Sequence, residues 1–458
     1  MVAIAETFVP DAAEWAKRQW DAVDVGDARL ERRVVEVGTQ MTLSPGASIA
    51  QQMRDRAELK AAYRLLDNSE VSYAALSEPH WLATRREASR KALVLLVQDQ
   101  TELDLTHYVH TMVELGPIGN GRGVGLLLHT TLAVIPTPRQ VLGIAYQQVF
   151  KRVPTSEVGP RWRRPKEERE TRVWGKGVEA IGSPPQGSRW VVVTDRAGDN
   201  TDFLLTCRRT GVDFTIRLGQ EHRLVTEDGE TAYLLTSARD WPAVVGKTLE
   251  VKERGGRKGR QAHLLLSFGQ VTLRVPKAEE PLHLWAVRVW EVDAPAGVEP
   301  VEWILGTSVA VETAEEALER TAWYTTRWLA EEYHQCLKTG CAVEHRDLEH
   351  ADRLERLIGF LAPIAVRLLQ LQEDSRLRPD LPASAVADPL AVTLLAAKLN
   401  IPVTTMTVRA FWRGVAQLGG FLGRRRDGQP GWKTLWRGWL YLDFLVEGAR
   451  LSASLYAT

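Results

Sequence analysis

The sequence predicts an α/β protein: a mixed five-stranded core, interrupted by a β-rich insertion and flanked by helical segments at both ends. Three observations predict this. From Lys91 onward, short apolar runs punctuated by turn residues replace helical periodicity. Between about 220 and 300, alternating segments crowd together: TAYLLTS, KTLEVKE, HLLLSFG, VTLRVP and LHLWAVRVWEV. On either side, residues 1–88 and 373–458 are mainly amphipathic helical pieces, which leaves 89–372 for the core and its insertion.

The totals agree with a globular chain. It has 458 residues, enough for two to four domains, with 44% hydrophobic and 25% charged residues. Three cysteines, Cys207, Cys336 and Cys341, make no disulfide framework and fit a reducing compartment. The opening MVAIAETFVPDAAEW lacks the basic-then-apolar pattern of a secretory signal. The most apolar stretch, Leu357 to Val366, is far short of the roughly 20 residues that span a bilayer, so no membrane partner is expected. The 58 basic and 58 acidic residues cancel, which counts against a non-specific nucleic-acid coat but leaves room for local basic surfaces.

The helical start consists of DAAEWAKRQWDAV, DARLERRVVEVGTQMT and AELKAAYRLLDN, parted by Gly26, Pro45-Gly46 and Asn68-Ser69. Arg29, Arg32, Arg33, Arg54, Arg56, Lys60 and Arg64 make it locally basic, as a bundle meeting phosphates would be, although solvated arginines on a plain bundle read almost the same. Then KALVLLVQDQTELDL, LLLHTTLAVIP and VLGIAYQQVF form a meander of three strands. Its link GPIGNGRGVG lacks a following helix and a Gly-Lys-Ser/Thr ending, so it is a hairpin connection and not a phosphate loop. His129, on a strand, reads as a core histidine. A charged helix follows from Arg164 to Gly182, then the apolar strand SRWVVVTDRAGD, the helix TDFLLTCRRTG and the strand VDFTIRLG. The insertion contains a basic turn, Lys252 to Arg260, and EWILGTSVAV returns as a strand. After an apolar helix, RLERLIGFLAPIAVRLLQLQ, a Pro-containing linker leads to the last helices, which hold the basic turn GRRRDGQPGW.

One stretch carries the chemistry. Thr321 to Thr339 reads as a single helix, with Thr313 capping its approach ahead of Glu315 and Glu316. At about 100° per residue, Tyr324, Arg327, Glu331 and Lys338 fall on one narrow stripe, and Glu332 falls outside it. A stripe of one carboxylate, two cations and a phenol can be a solvated charged face. Asp99 and Asp195, each ending an apolar strand, change that reading. Strand-end carboxylates are expensive unless solvated, paired or metal-bound. With Glu331 they can converge on hard divalent cations, Mg²⁺ or Mn²⁺. Two such ions activate a water or hydroxyl and stabilise the leaving oxygen at phosphorus, while Arg327 and Lys338 neutralise the phosphate and Tyr324 hydrogen-bonds it.

Three strands with Asp99 on the first, Asp195 on the fourth and an acid on a late helix is the order of an RNase-H-like fold. The sequence resembles the DDE transposases of the insertion-sequence-four group. The resemblance rests on VQDQTEL, VVTDRAGD and VDFTIR, and above all on the Tyr-x2-Arg-x3-Glu-x6-Lys spacing at 324, 327, 331 and 338. VGDARLERR, AAYRLLDN and LGGFLGRRRDGQPGWKTLWRGW extend it over nearly the whole chain.

The resemblance implies a magnesium-dependent DNA endonuclease and strand-transfer enzyme. Asp99, Asp195 and Glu331 would hold two Mg²⁺ ions, with Mn²⁺ a substitute. Tyr324, Arg327 and Lys338 would grip the DNA backbone, Trp303 would line a pocket for a flipped base, and Arg217 would lie near the DNA end. Arg33 and Arg64 in the N-terminal helices would contact the transposon end. The C-terminal helices would form a homodimer on double-stranded transposon ends and target DNA. The reaction implied is a nick, attack of the 3′-hydroxyl on the opposite strand to give a hairpin, hairpin opening and joining to target, in a bacterial cytoplasmic protein that sits on the nucleoid when bound to DNA. One departure is Gln335, where a further lysine is often found. Two rivals remain. His334, Cys336, Cys341 and His345 could suggest zinc, but His334 and Cys336 point about 200° apart on a helix. A transposon-end-binding protein without catalysis would keep the same basic helices.

Overall fold

A computed structural model describes residues 12–154, 170–227, 230–251, 259–274, 280–424, 427 and 430–456. The charged run at 164–169, the basic turn at 252–258 and positions 425–426 and 428–429 of the last basic turn lie outside the described residues.

Five helices come first: α1 (Ala12–Trp20), α2 (Ala28–Leu43), α3 (Ile49–Gln52), α4 (Arg56–Asp67) and α5 (Tyr73–Ala88). Short polar residues start four of them. Asp27, Ser48, Asp55 and Ser72 each accept a hydrogen bond from a first-turn backbone N–H, satisfying donors a helix leaves open. Trp20 is fully buried. A Cβ at Gly38 would meet its ring at 2.5 Å, so that glycine lets α1 close on α2. On the other side Trp20 meets Phe360, ring centroids 5.5 Å apart.

The strands are β1 (Leu93–Asp104), β2 (Gly116–Ile118), β3 (Gly123–Pro136), β4 (Arg139–Phe150), β5 (Arg189–Thr194) and β6 (Asp213–Arg217), with α6 (Arg172–Ile181) before β5 and α7 (Thr201–Thr210) after it. β1 and β5 pair in parallel, as do β5 and β6, whereas β3 runs antiparallel to β1 and β4 antiparallel to β3. The glycine-rich link turns β2 into β3, as a hairpin connection does.

The sheet does not stop at five strands. β12 (Glu302–Thr307) pairs antiparallel with β6 and carries the sheet into the insertion through β11 (Leu282–Val292) and β10 (Arg260–Leu273). Beyond these lie β9 (Val245–Val251) on β10, and β7 (Leu224–Glu227) with β8 (Glu230–Tyr233), making twelve strands in one sheet among the described residues. HLLLSFG and VTLRVP, read as two segments, are one strand, because nothing between them offers a turn. TAYLLTS divides instead: β8 ends at Tyr233 and α8 (Leu234–Asp240) begins.

Period-two alternation sorts the strand residues onto two cores. Leu95, Val97, Val191 and Val193 face one core, shared with the helices α9 (Ala314–Thr325), α10 (Trp328–Gln335) and α11 (Ala351–Leu377). Val94, Leu96, Val192 and Ile216 face the other, covered by α6 and α7. α11 is buried nearly all round, as its continuous apolar sequence requires. Helices α12 (Pro389–Leu399), α13 (Val408–Leu418) and α14 (Trp432–Tyr456) complete the chain. No helix among the described residues is long and apolar enough to cross a membrane.

The stretch from Thr321 to Thr339 is not one helix. α9 ends at Thr325 and α10 starts at Trp328. Thr325 and Thr326 donate their hydroxyls to the carbonyls of Ala322 and Trp323 at 2.7 and 2.6 Å. These bonds compete with the helix ladder and tighten the turn. From Cys336 to Gly340 the chain widens into a π turn, closed by Cys341 N–H to Cys336 O at 2.9 Å.

Candidate active site

The parallel register builds the floor of the site. Val97 pairs with Val193, and Val193 pairs with Thr215. Carried two residues on, this register sets Asp99, Asp195 and Arg217 level on three adjacent strands. Asp99 lies within β1 just past its apolar run, Asp195 is the first residue after β5, and Arg217 is the last residue of β6. Asp195 also caps a short turn, accepting from Ala197 N at 2.9 Å. The next loop is held by Asp199, which is buried, ion-paired with buried Arg223, and accepts from the N–H groups of Gly219 and Gln220 at 2.9 and 3.1 Å.

α9 and α10 supply the roof. Arg327 donates to Glu331 Oε1 at 2.7 Å, and its other nitrogen lies 3.6 Å from Asp99 Oδ2. Tyr324 lies against Arg327 and Arg217, while its ring meets Trp303 edge-on with centroids 5.3 Å apart. Arg217 also donates to Glu302 O at 2.9 Å. The structure therefore brings together Asp99, Asp195, Arg217, Trp303, Tyr324, Arg327 and Glu331.

Lys338 stands apart from the stripe. The π turn carries it to the end of β1, where it donates to Glu102 O and pairs with Glu344 at 3.0 Å. Arg33 and Arg64 sit on the N-terminal helices, Arg33 paired with Glu36 at 2.8 Å and Arg64 exposed; neither joins this cluster. The zinc alternative finds no support, since the three cysteines are buried and His334, Cys336, Cys341 and His345 form no ligating group among the described residues.

Burial pushes the Asp99 carboxyl up to about 7; Arg327 opposes this, and the Asp195 and Glu331 carboxylates add to it. Burial also raises the Tyr324 phenol, against the pull of Arg327 and Arg217. Such mutual perturbation marks a crowded acidic site. The donors are hard oxygens suited to a divalent cation. The three acids are nevertheless not drawn to a common point. Among the described residues, the acid and histidine group with ligand atoms all within 4.8 Å is the exposed Glu114, His350 and Asp352. In the site itself, the Arg327 guanidinium stands between Asp99 and Glu331.

His334 is the residue that sequence reasoning missed; its spacing was weighed only for zinc. It is buried, with Nδ1 3.9 Å from Asp99 Oδ2 and Nε2 3.2 Å from Thr130 Oγ1. Gln147 donates to that same Thr130 hydroxyl at 2.9 Å and to Tyr333 at 2.7 Å, and Tyr73 donates to Gln147 at 3.0 Å. The Thr130 hydroxyl and His334 Nε2 share a hydrogen bond whose direction follows the tautomer of the ring, with Nδ1 facing Asp99. No signal in the sequence distinguishes this histidine, because its partners come from β1 and β3.

Comparison with known families adds two matches. Residues 12–71 match the family described as Transposase DNA-binding. Residues 363–458 match the Transposase Tn5 dimerisation domain. The class is thereby defined: a DNA transposase, with a segment for binding DNA at one end and a segment for dimerisation at the other. Within that class the chain is a Tn5-like transposase. Its last helix suits dimerisation, since Leu440, Phe444, Leu451 and Leu455 stand exposed along one stripe.

Proposed function

We propose that the chain cuts and pastes DNA by the DDE chemistry of its group, on an RNase-H-like core formed by β4, β3, β1, β5 and β6. The observation that carries this reading is Asp99 on β1 and Asp195 just past the end of the adjacent parallel strand β5, two residues beyond the Val97–Val193 pair, with Glu331 presented to them from α10. The segment matches at both ends of the chain support it.

In this reading Asp99, Asp195 and Glu331 would hold Mg²⁺, for which Mn²⁺ would substitute. Bound divalent metal would supply Lewis-acid stabilisation at phosphorus and lower the pKa of the attacking hydroxyl. The chain's own residues do the rest. Arg327, now the counter-ion of Asp99 and Glu331, turns to the scissile phosphate. Arg217 and Tyr324 position the neighbouring phosphates, and Lys338 holds the backbone along the end of β1. Trp303, half-buried against Tyr324, offers a ring face to an unstacked base. The exposed 3′-hydroxyl left by the first nick attacks the opposite strand to give a hairpin. Water opens the hairpin, and the freed end joins target DNA. Arg33 and Arg64 contact the transposon end from the N-terminal helices, and the stripe on α14 forms the seam of the dimer.

The test is a duplex bearing the element's own end, incubated with Mg²⁺ and run on a denaturing gel. Wild type yields nicked and hairpin products, whereas Glu331→Ala binds the duplex and leaves it intact. Binding by both without cleavage, in Mg²⁺ or Mn²⁺, makes the chain an end-binding protein without catalysis.

A further inference from the structure

A second polar site lies away from the carboxylates, between the end of α11, one face of α13 and the first turn of α14. It is a cavity of about 360 Å³. Three arginines line it: Arg376, Arg409 and Arg413. Arg409, Trp412 and Arg413 are spaced three and four residues apart on α13, so they share one helix face.

The charges of this cavity are not balanced. Arg376 is held by Glu332 and Glu373 at 2.7 and 2.8 Å. Glu373 also pairs with Arg139 at 2.6 Å, so those two acids are already engaged by two arginines. Arg413 lies over the Phe421 ring at 5.5 Å, and neither it nor Arg409 has a carboxylate partner among the described residues. Two polar side chains in the wall are also incomplete. Trp412 is 5% exposed and Gln372 7%, yet Trp412 Nε1 and Gln372 Oε1 have no hydrogen-bond partner among the described residues. A buried indole N–H without an acceptor is costly.

Guanidinium and indole groups donate and do not accept. A cavity lined by them calls for a ligand that only accepts, and planar arginine forks favour phosphate-like oxygens. The Gln372 amide can turn its NH₂ to the same ligand. We propose that this cavity binds a phosphate-class oxyanion, either a phosphodiester of DNA or free phosphate. The volume takes the phosphate with room for the sugar that carries it. The assignment does not depend on catalysis at Glu331, and a chain that fails the cleavage test keeps this site.

The test uses the full-length protein at matched ionic strength. Binding of inorganic phosphate, and of a short single-stranded thymidine oligonucleotide unrelated to any transposon end, is measured by calorimetry. Wild type is compared with the Arg409→Gln/Arg413→Gln double variant and with Trp412→Phe, which keeps the ring and removes the N–H. The expected result is binding of at least one ligand, weakened about tenfold or more in the double variant and by less in Trp412→Phe. Loss confined to the oligonucleotide identifies the DNA backbone; loss with phosphate identifies the free anion. If the double variant melts early, Trp412→Phe carries the test. Equal binding of both ligands by wild type and Trp412→Phe, or no binding of either by wild type, overturns the proposal.

Discussion

The Arg327 guanidinium joins Glu331, one helical turn on at 2.7 Å, to Asp99, across the sheet at 3.6 Å. This bridge links the roof of the site to its floor, and it holds opposite charge beside a carboxyl that burial pushes up to about 7.

Replacing Arg327 with Ala removes that bridge. Cleavage of an end-bearing duplex is expected to fall by about 10²–10³-fold, with binding to the same duplex weakened far less. Arg327→Lys is not expected to restore it, because a single ammonium cannot span both acids as a planar fork does. Single-turnover cleavage of the three proteins checks this.

His334→Phe keeps the bulk and removes both ring nitrogens. It leaves the Thr130 hydroxyl without its ring partner, which costs about 1–3 kcal/mol, and removes the ring nitrogen that faces Asp99. Cleavage should slow with little change in DNA affinity. His334→Gln, which can still meet Thr130, should recover part of the rate. A wild-type rate for His334→Phe would show that His334 only fills space.

His80 makes stability depend on pH. Its Nε2 accepts from Ile144 N at 3.0 Å, Nδ1 faces Gln19 Oε1 at 3.0 Å, and burial lowers its pKa from 6.5 to about 4. The folded chain therefore holds it neutral while the unfolded chain binds a proton. Stability from this group is present above pH 6.5 and is lost as pH falls from there through 4, by about 3 kcal/mol at most. His80→Gln should be less stable than wild type at pH 7, and the gap should shrink at pH 4.5. Denaturant unfolding at the two pH values measures this.

Gly419 and Gly438 let α13 and α14 cross. A Cβ at Gly438 would come within 1.6 Å of Val415 O, and one at Gly419 within 1.8 Å of Thr434 O. Backbone cannot yield as a side-chain tip can. Gly438→Ala should cost about 1–3 kcal/mol or more and loosen the last helix. A lower melting temperature, with loss of dimer in sedimentation, is the expected result.

Asp99 and Asp195 could be read from the chain because each ends an apolar run long enough to be a buried strand. Their apposition could not, since it depends on β1 and β5 pairing in one register out of several. The helix from Thr321 to Thr339 was expected whole because its apolar spacing runs through Thr325 and Thr326. Hydroxyl bonds from those two residues to carbonyls three residues back divide it, and periodicity does not report them. The cavity of the C-terminal helices was invisible for a similar reason: Arg376 lies 33 positions before Arg409, and only the packing of α11 on α13 makes them neighbours.

Local chemistry was enough to specify several features of this protein: where strands alternate, where Thr313 caps a helix, where acids end apolar runs, and the spacing of Tyr324, Arg327 and Glu331. These follow from periodicity and capping, which act within a few residues. The tertiary structure alone decided which charges meet. Strand register levelled Asp99, Asp195 and Arg217. Helix packing set Arg327 between two acids and His334 beneath one of them, and the π turn sent Lys338 to the end of β1. Each of these contacts joins residues distant in the chain, and the energy that selects it comes from burying whole faces of the sheet and helices, which no short stretch encodes.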